Sequence, residues 1–243
     1  MSGTLAYFAA IYACDPRNRR SLAARAHWLQ RTCRSLLRVL GIHRHATGRP
    51  APGTMVVSNH VSYVDIMVLS AAAPVVFVAK SEVRGWPIFG WFAQLAGTRF
   101  IDRKRRSDVA RVADEIAPAL AEGLGVVLFL EGTSSDGSSV LPFKASLLEP
   151  AARGRWPVQP TAVGYLVPPG HSAAQEVCWW GDMTLAPHLA NLLTLQRIDA
   201  HVAWGEPVPG NEDRKLLAAE LQARVSALHA TLPSVAVQTE NAG

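Results

Sequence analysis

Cysteine is scarce in this 243-residue chain. Cys14, Cys33 and Cys178 are odd in number and widely separated, a pattern that supports neither a disulfide framework nor a zinc site and points to a reducing compartment. A long apolar run is also missing. Residues 5–14 form the longest early one, about half of the roughly 20 residues needed to span a bilayer. Arginines follow that run instead of preceding it, which argues against a secretory leader. Charged residues make up only 18% and hydrophobic ones 49%. The expectation is a folded protein, greasy for a soluble one and long enough to bury a substantial core.

Acidic residues are nearly absent from the first 50 positions, which hold nine Arg and only Asp15, or 9 − 1 = +8. The remainder has 15 basic and 18 acidic residues, or −3, which leaves the net +5. A segment so basic suits anionic lipid head groups or nucleic acid. Nucleic acid is disfavoured by the acidic remainder and by the lack of an interleaved aromatic and basic motif.

Over residues 19–40, Leu22, Leu29, Cys33, Leu36, Leu37 and Leu40 fall on one helical stripe with Trp28 beside it. Arg20, Arg25, Arg31, Arg34 and Arg38 take the flanks and the opposite side, and Gly41 is a stop signal. Such a helix can lie on an anionic membrane or pack on the main domain with a solvated Arg face. The apolar patch at 5–14 favours the membrane. Residues 1–47 therefore read as a basic amphipathic membrane-docking segment, and 48–243 as an α/β domain entered through a Pro/Gly-rich linker at 48–53. Strands are expected at 54–58, 75–79, 98–101, 126–130, 161–167, 176–180 and 200–204. Helices are expected at 62–72, 107–122, 187–196 and 211–230. Short Val-rich strands separated by helices imply a mixed, mostly parallel sheet flanked by helices.

Three segments carry chemistry. In Ser58-Asn59-His60-Val61-Ser62-Tyr63-Val64-Asp65, His60 falls in a turn between a strand and a helix, where open α/β sheets place ligand groups. Histidine suits general-base work near neutral pH, and a carboxylate on one ring nitrogen fixes its tautomer. A regular helix would place residues five apart on different faces. The pair can meet only if His60 precedes the helix and curls back over it. Ser62-x-x-Asp65 also resembles a capping box, which would make Asp65 a helix-start carboxylate only. The second segment, Phe129-Leu130-Glu131-Gly132-Thr133-Ser134-Ser135-Asp136-Gly137, is a tight polar loop after an apolar strand. The third, Thr98-Arg99-Phe100-Ile101-Asp102-Arg103-Lys104-Arg105-Arg106, is dense in cations and suits an anionic head group or the solvated start of a helix. His43 and His45 lack companion ligands, so no metal site is expected.

Taken together and in order, these segments resemble the glycerolipid acyltransferase family, typified by 1-acyl-sn-glycerol-3-phosphate acyltransferases. The family's His-x4-Asp motif is matched by His60 and Asp65. Its Lys-Ser-Glu…Pro…Gly…Gly…Phe-x-Asp-Arg block is matched by Lys80, Ser81, Glu82, Pro87, Gly90, Gly97, Phe100, Asp102 and Arg103. Its Phe-Pro-Glu-Gly-Thr-Arg motif reads Phe129-Leu130-Glu131-Gly132-Thr133-Ser134, and its Val-x-Pro strand reads Val158-Gln159-Pro160. The resemblance implies that His60, oriented by Asp65, deprotonates a lysolipid hydroxyl. That hydroxyl attacks the thioester of acyl-CoA or acyl carrier protein without an acyl-enzyme, a metal or any other cofactor. It further implies substrate-binding roles for Lys80, Phe100, Arg103, Glu131, Gly132, Thr133 and Ser134, and a peripheral or monotopic place on the cytoplasmic face of the membrane.

Two departures bear on the acceptor. Leu130 replaces the family's Pro. Ser134 replaces an Arg expected to help bind a phosphate, and a hydroxyl supplies neither a fixed charge nor a bidentate fork. The larger branch of the family favours 1-acyl-sn-glycerol-3-phosphate as acceptor in phospholipid biosynthesis. The Glu-Gly-Thr-Ser-Ser-Asp-Gly loop, followed by Val140-Leu141-Pro142-Phe143-Lys144, resembles the branch that acylates lyso-ornithine lipid, a close alternative. A non-catalytic membrane-binding module is the reading from another class.

Overall fold

The computed structural model describes residues 21–86, 89–102 and 106–233. The readings placed on residues 5–14, on Arg20 and on Arg103, Lys104 and Arg105 lie outside them. The elements run in the order α1 (Leu22–Val39), β1 (Ile42–Thr47), β2 (Met55–Ser58), α2 (Val64–Ala72), β3 (Val75–Lys80) and a 3-10 turn (Ser81–Gly85). They continue with α3 (Phe89–Leu95), β4 (Arg99–Ile101), α4 (Arg106–Ala121), β5 (Gly125–Phe129), a second 3-10 turn (Ala145–Leu148) and α5 (Glu149–Gly154). Last come β6 (Val158–Leu166), α6 (Ala173–Glu176), α7 (Leu185–Leu192), β7 (Ile198–Trp204) and α8 (Arg214–Ala230).

The strands form one seven-stranded sheet in the order β1-β7-β6-β2-β5-β3-β4, and only the β6–β7 pairing is antiparallel. The central strand β2 is buried along its whole length, because helices cover both faces. On one face Val56, Val127 and Val163 meet Trp28 and Leu37 of α1, Val64 and Val68 of α2, and Leu192 of α7. On the other, Met55, Val57, Val126 and Leu128 meet Ile116 of α4 and Leu217 and Leu221 of α8. The continuous apolar runs of β2 and β5 are what a parallel sheet covered on both sides requires.

Helix α1 is amphipathic as expected, and Ser21 caps it by accepting the Ala24 N–H at 3.2 Å. Its apolar stripe, however, faces the protein: Trp28, Leu29, Cys33, Leu36 and Leu37 are all buried. This overturns the membrane reading for those five residues, because side chains already packed on the sheet are not free to insert, while Leu22 and Leu40 of the stripe are partly buried. The arginines keep their expected place, with Arg31, Arg34 and Arg38 exposed. Gly41 does end the helix. Its φ of 64° suits glycine, and a Cβ there would lie 2.7 Å from the Gln196 carbonyl oxygen.

Two other expectations change. The strand expected at 176–180 is instead the single helical turn α6 followed by irregular chain. Its apolar residues are buried by packing beside the His60 turn, not by strand pairing. Strand β1 was not expected, since Ile42 alone is buried in it and the other five residues are exposed. An edge strand paired on one side only shows no alternation to read. Helices α3 and α5 are too short for a clear period.

The packing of α1 gives a direct test. Leu37→Ala should lower the unfolding free energy of the full chain by about 2–5 kcal/mol, the range for a buried Leu. A change within about 0.5 kcal/mol, as for an exposed position, would place the stripe outside the core.

Candidate active site

The site stands at the carboxyl ends of β2 and β5. Those strands pair in parallel with Ser58 opposite Phe129, so the residues two beyond each end, His60 and Glu131, arrive side by side. The His60 backbone N–H donates to Glu131 Oε2 at 3.3 Å. The Leu141 N–H donates to Glu131 Oε1 at 3.1 Å. Glu131 is only 1% exposed, and burial raises its pKa to about 7 against the lowering effect of those two bonds. Its carboxyl group ties the His60 turn to the chain that follows the loop.

The turn does curl back. His60 Nδ1 lies 2.8 Å from Asp65 Oδ2. The same oxygen accepts the backbone N–H groups of Val61 at 2.8 Å and Ser62 at 3.0 Å. Asp65 therefore does both jobs left open by its spacing, bonding back to the turn that leads into α2, as the acidic residue of a capping box does, and holding the imidazole. With a carboxylate on Nδ1, that nitrogen carries the proton and Nε2 presents its lone pair. The His60 ring stacks on Phe129, with centroids 4.0 Å apart and planes at 14°. Its side chain is 21% exposed while that of Asp65 is fully buried.

Tyr165 was missed by reading the sequence. Its hydroxyl donates to Asp65 Oδ1 at 2.6 Å. Burial first, and then the Asp65 charge, hold its pKa well above the ordinary tyrosine value, so it stays a donor. The residue lies on β6, a hundred positions along the chain from Asp65, in a stretch that reads as plain strand. A tyrosine near the end of a buried strand was the only available signal.

The other expected site residues divide. Gly132 has a φ of 69°, a left-handed turn that glycine adopts without strain, and Thr133 beside it is exposed. The Ser134 hydroxyl donates to the Trp179 carbonyl at 2.5 Å, and the Trp179 N–H donates to the Val61 carbonyl at 2.8 Å. Position 134 thus fastens the loop to the segment over the His60 turn. Lys80 is exposed at the end of β3. Phe100 lines a separate hollow, with the Arg84 guanidinium 5.8 Å over its ring. Arg103 lies outside the described residues.

An oriented imidazole with one free nitrogen, beside a buried carboxyl group and at a sheet's carboxyl edge, can take a proton from a hydroxyl. The comparisons with known proteins point to one family. The acyltransferase family model matches residues 40–164. A lyso-ornithine lipid O-acyltransferase of Brucella abortus is 42% identical over 210 residues, covering 80% of this chain and 79% of its own length. A 1-acyl-sn-glycerol-3-phosphate acyltransferase of Neisseria meningitidis is 32% identical over 196 residues, covering 78% of this chain and 76% of its own. The crystal structure of the 1-acyl-sn-glycerophosphate acyltransferase of Thermotoga maritima shares the fold, with a TM-score of 0.63 at 19% identity over 94% of this chain and 90% of that one. A family match that includes the His60 turn and the Glu131 loop, with relatives covering most of both chains, shows that this chain belongs to the acyltransferase family.

Proposed function

We propose that the chain esterifies the free hydroxyl of a lysolipid, and that lyso-ornithine lipid is the acceptor. The observation that carries the head-group assignment is Ser134. Where the phosphate-acceptor motif has a cation, this chain has a hydroxyl, and that hydroxyl is bonded to the Trp179 carbonyl. A phosphate dianion would lose a bidentate partner at that point, whereas a head group carrying both a carboxylate and an amine loses less. The name of the Brucella relative supports this choice. The name of the Neisseria relative supports the second reading, 1-acyl-sn-glycerol-3-phosphate, giving phosphatidic acid.

In the proposed reaction His60 Nε2 accepts the proton of the acceptor hydroxyl, and Asp65 stabilises the imidazolium that forms. The oxygen attacks the thioester carbonyl of acyl-CoA or acyl carrier protein. As the carbon–sulfur bond breaks, the thiolate leaves and takes the proton from His60, giving the ester and a free thiol. Arg103 and the loop at Gly132 and Thr133 would meet the head group. Among the described residues no helix is long and apolar enough to cross a membrane. Peripheral attachment at the cytoplasmic face, where thioester donors are made, fits a lipid acceptor and a soluble donor.

His60→Ala should cut kcat by about 10²–10⁴-fold, the usual loss for a general base, with the fold unchanged by circular dichroism. Near wild-type turnover would sink the mechanism. Tyr165→Phe keeps the ring and removes one donor to Asp65. It should lower kcat with little change in KM, and a pure loss of thermal stability at unchanged kcat would make Tyr165 structural only. For the acceptor, kcat/KM should be higher on lyso-ornithine lipid than on 1-acyl-sn-glycerol-3-phosphate. Ser134→Arg should move that ratio toward the phosphate. The reverse order in the wild-type protein would select the second reading.

A further inference from the structure

The described residues include seven strands with a core on each face of the sheet, yet two tryptophans stay outside both. Trp86 is 43% exposed and Trp91 is 50% exposed. Trp28 and Trp204 are buried, and Trp156, Trp179 and Trp180 are half-buried. The remaining exposed large apolar side chains, Val39, Leu193 and Leu216, are aliphatic, and each lies on or beside a different helix. Trp86 and Trp91 are joined locally: the Gly90 N–H donates to the Trp86 carbonyl at 2.9 Å. Gly90 is pressed against the 3-10 turn so closely that a Cβ would sit 2.4 Å from the Arg84 carbonyl oxygen.

This aromatic pair borders the active site. The Trp86 ring meets Trp179 edge-on, with centroids 5.9 Å apart. The Trp179 backbone N–H in turn donates to the Val61 carbonyl beside His60. Arg84, two residues before Trp86, and Gln94, three residues after Trp91, help to line a hollow of about 380 Å³ whose lining also includes Arg25, Arg99, Arg111 and Glu115. Four guanidinium groups and one carboxylate give that lining +3, or +2 when Asp108, bonded to Arg111 at 3.0 Å, is counted with it. Glu82 is also exposed on the adjoining 3-10 turn. The surface is therefore apolar at its tip and cationic beside it. Tryptophan favours the boundary between acyl chains and head groups, and arginines beside it favour anionic head groups.

We propose that Trp86, Trp91 and the arginine-lined hollow form a docking surface for an anionic phospholipid bilayer. Docked there, the protein holds the mouth of the His60 site at head-group level. A lysolipid reaches the imidazole without leaving the interface. This assignment rests on the lipid-acceptor reading for its purpose, but its binding test does not.

The test uses the full chain with vesicles of phosphatidylcholine alone and of equal parts phosphatidylcholine and phosphatidylglycerol. The wild-type protein should sediment with the mixed vesicles, less so at high salt. Brominated acyl chains should quench its tryptophan fluorescence. The Trp86→Ser/Trp91→Ser chain should bind about tenfold more weakly or worse, since binding scales with inserted apolar area. Trp91→Ser alone should keep wild-type kcat on a short-chain, monodisperse lysolipid while losing kcat/KM on an acceptor embedded in vesicles. Equal binding by the double variant, binding indifferent to phosphatidylglycerol and salt, or a wild-type protein that ignores vesicles and instead pairs with itself would each overturn the proposal. Vesicle binding with these properties but no transfer to any lysolipid would overturn the acceptor reading and leave the docking surface standing.

Discussion

The structure depends on the register of two parallel strands. Ser58 lies opposite Phe129, and the contacts of His60 with Glu131 and Phe129 follow from that pairing. One residue of slip would move the side chains of β2 or β5 to the opposite face of the sheet. It would also separate the His60 N–H from Glu131 and lift Phe129 from beneath the imidazole. The cores on the two faces hold the register, since Val57 and Val127 are fully buried on opposite sides of the sheet. Asn59 extends the pairing one residue past β2. Its side chain donates to the Val163 carbonyl at 2.9 Å and accepts the Val163 N–H at 2.8 Å, as a further strand residue would.

Burying Asp65 completely is costly unless every lone pair finds a donor. Here the backbone of the turn supplies two donors, the imidazole a third and Tyr165 a fourth. The group that would orient His60 thus also knots the turn that leads into α2. Glu131 does the comparable work from the β5 side, bonding to backbone at His60 and Leu141. With both carboxyl groups turned toward backbone, imidazole and the Tyr165 hydroxyl, the exposed edge of the His60 ring is the one left to carry the proposed chemistry.

Much of this was legible in the sequence because it is local. The Val-rich runs of β2 and β5, the turn after Ser58 and the Gly132 loop each declare themselves within ten residues. The pairing of His60 with Asp65 was readable as a condition, namely that the chain curl back, which the backbone meets. What could not be read is long-range. Tyr165 comes to Asp65 only through the order of strands in the sheet. Ile42–Thr47 becomes a strand only because β7 lies beside it. The stripe of α1 has the same pattern whether it meets lipid or protein, and only its packing on α2 and the sheet decides. Ser134 could be seen to lack a charge, but its bond to Trp179 depends on a segment misread as a strand.

The position of β1 has a consequence for how the chain is made. Ile42 pairs with Ile198 and Thr47 with Ala203, so this strand's partner is synthesised more than 150 residues later. At about 5–20 residues per second, the delay is on the order of ten seconds. Throughout it, α1 and β1 have left the ribosome before the sheet edge that receives β1 exists. Ile42 then lacks its strand partner in the nascent chain. Contacts so distant in sequence slow folding and lengthen exposure to aggregation. Arg25, Arg31, Arg34, Arg38 and Arg44 are spaced along that segment, and like charges so placed oppose self-association.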